Sequence, residues 1–296
     1  MTIPVSQLMT WATLPDASRS AATYNSIKST LDASGLSARY TYDIYLQGSY
    51  ANHTNIRSDS DVDIVIELTS MFRSDLGRLS GDEIRRYQVQ YSDSSITLQD
   101  FRQAVLAALR RYYSVTEGNK CLKVAGGSSR LPADVLVCNE YRLWSRLPLY
   151  GQPDYVEGII FRTLDGREVI NYPKEHRNNG TRKQAATDNE YKELVRTIKN
   201  ARRRLVEDGT LSRDSAPSYF VECLLYNLPN PSFTDSLSLT YLNALVWLGE
   251  NHSTLSGLLC QNEITHLFGS EPEQWDTRRA QQLIGALLQQ WNDWGE

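Results

Sequence analysis

Long apolar runs are missing from this chain. No window approaches 18 consecutive apolar residues, so no membrane-spanning helix is expected. The stretch from Met1 to Ala12 lacks the charged start and apolar core of a secretory leader, and a soluble, cytoplasmic protein with no membrane partner is expected. A basic excess is missing too. With 31 Lys and Arg against 35 Asp and Glu, the net charge of −4 excludes a surface that coats nucleic acid, whose footprint is strongly basic. Any nucleotide contact must be local. The four cysteines, Cys121, Cys138, Cys223 and Cys260, are widely separated and form no CxxC pair, which reads as buried free thiols. Internal repeats and low-complexity tracts are absent as well. What remains is a 296-residue globular chain, 41% hydrophobic, with room for two domains or one large one.

The first half reads as sheet. Residues 15–34 carry a helical pattern of Ala21, Ile27 and Leu31 that closes at Gly35. Residues 40–46 are aromatic and β-branched and run into Gly48-Ser49, which implies a strand, turn, short helix, strand unit. Thr97 and Asp100 form a capping pair ahead of a helix whose apolar face is Phe101, Val105, Leu109 and Tyr112. Residues 121–124 and 133–137 are short apolar strands either side of Gly126-Gly127-Ser128, and residues 159–161 face 169–170 across a two-residue Asp165-Gly166 turn. Beyond Pro173 the composition changes. Residues 174–186 are polar and read as a crossing loop able to gate access.

From Thr187 the period turns helical, with Thr187 and Glu190 as a second capping box and Leu194, Ile198, Ala201 and Leu205 as the apolar stripe. Pro217 suits the first turn of the next helix, and two further helices cover about 235–249 and 274–292. The reading is α+β: a mixed-sheet core with flanking helices over 1–173, then a helical C-terminal lobe over 174–296, with the active site in the cleft between them.

The densest signal is residues 48–66. Gly48-Ser49 reads as a turn whose backbone approaches phosphate closely, because glycine has no Cβ and the turn exposes N–H groups. On the returning strand Asp61 and Asp63 share a side, since strand side chains repeat every two residues. Two adjacent carboxylates repel, which calls for a raised pKa or a bound cation, and oxygen ligands beside a triphosphate favour Mg²⁺. A two-metal clamp needs a third carboxylate. Asp134 heads the apolar strand 133–137 and supplies it; a solitary Asp there reads first as a solvated strand end, and only the company of Asp61 and Asp63 overturns that. Asp59 is a weaker rival, because Ser60 stands where an apolar residue belongs. Lys192, Arg196, Lys199 and Arg203 share one helix stripe, either a solvated face or the source of a cation for a triphosphate. Ser218, in the first turn of the next helix, is a cap or an anion contact, and Tyr219 is a base-stacking ring or core.

Together, Gly48-Ser49, Asp61-Val62-Asp63 and Asp134 resemble the nucleotidyltransferase fold of DNA polymerase β-like enzymes. Gln47-Gly48-Ser49, Lys199 and residues 217–222 narrow the resemblance to the cGAS/DncV-like nucleotidyltransferases of bacterial anti-phage defence, clade E, whose products contain pyrimidine nucleotides. The likeness spans nearly the whole chain. It implies that Asp61, Asp63 and Asp134 hold two Mg²⁺, or Mn²⁺ in their place. Gln47, Gly48 and Ser49 would meet the donor phosphates, Lys199 and Ser218 the triphosphate tail, Tyr219 the donor base, and Asn171 a uracil. The implied reaction joins UTP to ATP or a second pyrimidine nucleotide by in-line phosphoryl transfer and closes the ring in a second round. The implied protein is a monomer that needs no nucleic acid and signals to an effector protein. The His/Cys cluster with which the animal DNA sensor binds DNA is lacking. Two alternatives remain: an enzyme that makes a linear product or modifies RNA or protein, and a catalytically silent nucleotide-sensing regulator.

Overall fold

Seven strands form one mixed sheet: β1 (Tyr42–Leu46), β2 (Val62–Asp75), β3 (Val115–Glu117), β4 (Leu122–Val124), β5 (Ala133–Arg146), β6 (Asp154–Arg162) and β7 (Glu168–Asn171). The computed structural model describes residues 2–92 and 95–295. β5 is the hub. It pairs parallel with β2, antiparallel with β4 through its first residues and antiparallel with β6 through its later ones. β1 flanks β2, β3 flanks β4, and β7 flanks β6.

This sheet belongs to a unit of residues 16–50 and 58–174. One face is covered by α2 (Ser18–Asp32) and α5 (Leu98–Arg110), whose Ile27, Leu31, Phe101, Val105 and Leu109 pack on Val62, Ile64, Ile66, Val135 and Val137. The other face carries the alternate residues Asp63, Val65 and Glu67 of β2 with Asp134, Leu136 and Cys138 of β5. Two short helices complete the unit's list, α3 (Gly48–Asn52), which runs on into the other unit, and α4 (Gly81–Gln90). The strand, turn, helix, strand order expected around Gly48 is present as β1, α3, β2.

Helices make the second unit, residues 1–15, 51–57 and 175–296. They are α1 (Val5–Ala12), α6 (Pro173–Ala186), α7 (Glu190–Glu207), α8 (Ser218–Tyr226), α9 (Leu237–Glu250) and α10 (Thr277–Asn292). The expected stripe Leu194, Ile198, Ala201 and Leu205 of α7 is buried against Val221 and Leu224 of α8, Tyr241 and Leu245 of α9, and Leu283 and Leu287 of α10. Leu8 and Trp11 of α1 close the same core.

Several expectations need correction. Residues 1–15 and 51–57 join the helical unit and not the sheet unit, because α1 is amphipathic and its Leu8, Trp11 and Ala12 are buried there. Residues 174–186 are helix and not loop. Tyr112 lies beyond the end of α5 and is exposed, and Leu106 and Ala108 fill that face instead. Thr187 does not cap α7. Its hydroxyl donates to the Lys183 carbonyl and accepts from the Tyr191 N–H, while the N-cap residue is Asn189, at φ +74°. The β6–β7 connection spans residues 163–167, closed by Thr163 N–H to Arg167 O, with Gly166 at φ +87°.

Candidate active site

The β1–β2 ladder sets the first half of the site. Leu46 pairs with Ile64, and the Gln47 N–H extends the ladder by donating to the Asp63 carbonyl at 3.0 Å. Gly48 therefore turns away directly beside Asp63. Its φ is +69°, and a Cβ there would overlap the Asp63 carboxylate. Glycine is needed at this position on both counts. Ser49 follows, half-buried, in the first turn of α3.

Across the sheet, Asp63 of β2 is the register partner of Asp134 of β5, so the two carboxylates stand side by side on neighbouring parallel strands. Asp61 is exposed immediately before β2. Burial, then the charges of Asp134 and Asp61, push the Asp63 carboxyl up to about 6. The raised value records burial first and the crowding of like charge second. Asp134 has a partner of its own: Lys123 faces it from β4, Nζ to Oδ1 3.6 Å. Burial and Asp134 together push the neighbouring Cys121 thiol up to about 12. Among the described residues no three His, Cys, Asp or Glu side chains stand close enough to enclose an ion. The donor set nonetheless fits a hard divalent cation, being all carboxylate oxygen with excess negative charge.

Asn171 lies on the same sheet face. It pairs with Ile159, which pairs with Glu140, and Glu140 follows Asp134 by six residues along β5. It is exposed, well along the face from the carboxylates.

In the helical unit the basic stripe is not a solvated face. Arg196 is buried, and its guanidinium donates to the carbonyls of Ala12 and His53. Lys199 is 2% exposed, with all its protons engaged by the Glu222 carboxylate and by the carbonyl and hydroxyl of Thr54, the latter two at 3.2 Å. In this arrangement Lys199 is not free to meet a phosphate.

Glu222 is the centre of this cluster. It also accepts from Thr54 Oγ1 at 2.6 Å, Asn52 Nδ2 at 3.3 Å and His176 Nε2 at 3.3 Å. Burial opposes its charge, but Lys199 and the His176 hydrogen bond outweigh that cost and hold the carboxyl well below its usual value. Ser218 heads α8 and is exposed. Tyr219 is 42% exposed. Sequence reasoning missed Lys123, His176, Thr54 and the role of Glu222. Only Glu222 left a trace, as part of residues 217–222, which carry the resemblance.

Residues 178–292 match the family described as the cGAS/DncV-like nucleotidyltransferase C-terminal helical domain. The chain is 39% identical to the cyclic UMP-AMP synthase of Rhodothermus marinus (strain SG0.5JP17-172), over 305 aligned residues that cover 100% of both proteins. It is 35% identical to a cyclic dipurine nucleotide synthase of Elizabethkingia meningoseptica, with 84% of each covered. The solved structure of the Rhodothermus marinus c-UMP-AMP synthase with Apcpp and Upnpp superposes at TM-score 0.88, covering 99% of this chain and 98% of that one. Fold and full-length likeness thus define a nucleotidyltransferase. Within that class, the chain belongs to the cGAS/DncV-like nucleotidyltransferases. Such enzymes typically work with a divalent metal, and the solved relatives were captured with nucleoside triphosphates or their analogues. Among the described residues no helix is long and apolar enough to cross a membrane.

Proposed function

We propose that this enzyme makes a uridine-containing cyclic dinucleotide from UTP and a second nucleoside triphosphate, releasing pyrophosphate, as a signal to an effector protein in anti-phage defence. What carries the reading is the direct pairing of Asp63 with Asp134 in a chain alike from end to end with a cyclic UMP-AMP synthase.

Asp61, Asp63 and Asp134 would hold two Mg²⁺. The bound metal would acidify the attacking ribose hydroxyl and offset charge on the departing pyrophosphate. The chain's own residues mostly position the reactants. Gln47 fixes the turn against Asp63, Gly48 leaves room for phosphate beside that carboxylate, and Ser49 offers its hydroxyl and N–H. Asn171 reads the uracil edge from further along the same face. In the helical unit Ser218 takes the triphosphate tail and Tyr219 stacks on a base. Lys199 can help with the tail only by releasing Glu222.

The test is product mass. Purified protein incubated with each pair of nucleoside triphosphates and Mg²⁺ or Mn²⁺ yields a cyclic dinucleotide only when UTP is present. A linear product, or a cyclic product made equally well without UTP, would overturn the proposal. Asn171→Ser broadens the product spectrum if that side chain selects uracil, and an unaltered spectrum removes it from the site.

A further inference from the structure

One stack in the helical unit is unusual. The His176 ring lies under the Tyr219 ring with centroids 5.2 Å apart and planes 24° from parallel. His176 is buried at 6% exposure, whereas Tyr219 keeps 42%. The phenol is therefore covered and yet presented. Phe220 meets the same phenol edge-on, ring centroids 5.6 Å apart and planes 68° from parallel.

Below it, His176 Nε2 meets the Glu222 carboxylate, and Glu222 is anchored by Lys199 and Thr54. The backbone carbonyl of His176 accepts from Gln261 Nε2 at 2.7 Å, which pins this turn of α6. His176 Nδ1 is buried and has no hydrogen-bond partner among the described residues. A leucine or phenylalanine would fill that space without leaving a buried nitrogen unpaired, so packing alone does not call for histidine.

We propose that His176 is a positioning residue for Tyr219: held by Glu222, it fixes the phenol ring as a flat seat for the base of a nucleoside triphosphate. The proposal rests on the reading of Tyr219 as a base-stacking residue. It gives the buried Lys199–Glu222 pair a task that needs no contact with phosphate. The pair orients the imidazole, and the imidazole orients the platform.

The test is a double-mutant cycle read as KM for nucleoside triphosphate, kcat, and inhibition by inorganic tripolyphosphate, which has no base. Stacking on an aromatic ring contributes roughly 5- to 150-fold per base. Tyr219→Ala should raise KM within that range and leave tripolyphosphate inhibition unchanged. His176→Ala should raise KM several-fold with little change in kcat or in tripolyphosphate inhibition. His176→Phe, which keeps a ring beneath the phenol but cannot be held by Glu222, should recover only part of the loss and also serves if the alanine variant folds poorly. The double variant should be no worse than Tyr219→Ala alone, because His176 acts through Tyr219. An unchanged KM in Tyr219→Ala removes the base-stacking reading itself. If Tyr219→Ala raises KM but His176→Ala and His176→Phe match the parent, that reading stands and the positioning role falls. Additive losses in the double variant, or tripolyphosphate inhibition weakened in parallel with KM, would mean that His176 serves the fold and not the ring.

Discussion

Asp63 is the residue on which most consequences converge. Replacing both Asp61 and Asp63 by Asn should abolish pyrophosphate release while leaving the fold intact; normal nucleotide consumption by that variant would refute the metal assignment. Without metal, the pair of carboxylates works against folding. Asp63 ionises near 3.8 in an ordinary setting and about 6 here, so between those values the folded protein holds a proton that the unfolded chain releases. Stability therefore falls as pH rises from about 4 to about 6 and stays reduced above it. Asp63→Asn should accordingly stabilise metal-free protein at pH 7.5 by up to about 3 kcal/mol, at 1.36 kcal/mol per pH unit, read as a raised urea midpoint, and change the midpoint little below pH 4. A midpoint that is equal or lower at pH 7.5 would show that the carboxylates do not repel. Lys199 carries the opposite expectation. Lys199→Met leaves Glu222 charged and buried without its cation, which should cost about 3–5 kcal/mol, and adding Glu222→Gln should recover part of it. A thermal midpoint unmoved by Lys199→Met would contradict the ion pair.

Among the elements, α6 teaches most. Its buried positions His176, Asn179 and Gly180 recur at helical spacing, and Lys183 and Thr187 continue the row, yet none of these residues is apolar. A reading that searches for hydrophobic period finds nothing there and returns a loop. The helix is held instead by polar pairs, Asn179 Nδ2 to the Gln261 carbonyl at 2.8 Å and Lys183 Nζ to Asn230 Oδ1 at 2.8 Å among them. Asn179→Ala should cost about 1–3 kcal/mol by stranding a buried carbonyl, measured as a lowered denaturant midpoint. No change would indicate that water replaces the amide. The contrast with β2 and α7 is instructive. The 3.6-residue apolar pattern of α7 was legible because hydrophobic burial sets it, and Asp63 was legible on β2, although Asp61 stands just before that strand and not on it. The pairing of Asp63 with Asp134 was not, since register across seventy residues depends on β5 choosing β2 as its parallel neighbour.

At the scale of the whole molecule, the surprise is the composition of the helical unit. The composition shift after Pro173 lies beside the start of the helical unit's longest segment, residues 175–296, but α1 is too short for its pattern to reveal which core it joins, and residues 51–57 have no periodicity at all. Expressed alone, residues 174–296 should lack a cooperative unfolding transition, because Leu8, Trp11 and Thr54 are missing from their places; a sharp calorimetric transition from that fragment would contradict this. The same arrangement bears on biosynthesis. The partners of Leu8 and Trp11 on α7 to α10 leave the ribosome after the whole sheet unit, and at about 5–20 residues per second the nascent chain waits some tens of seconds for them. Until those helices emerge, the apolar face of α1 is without a home, a span in which a chaperone would find it.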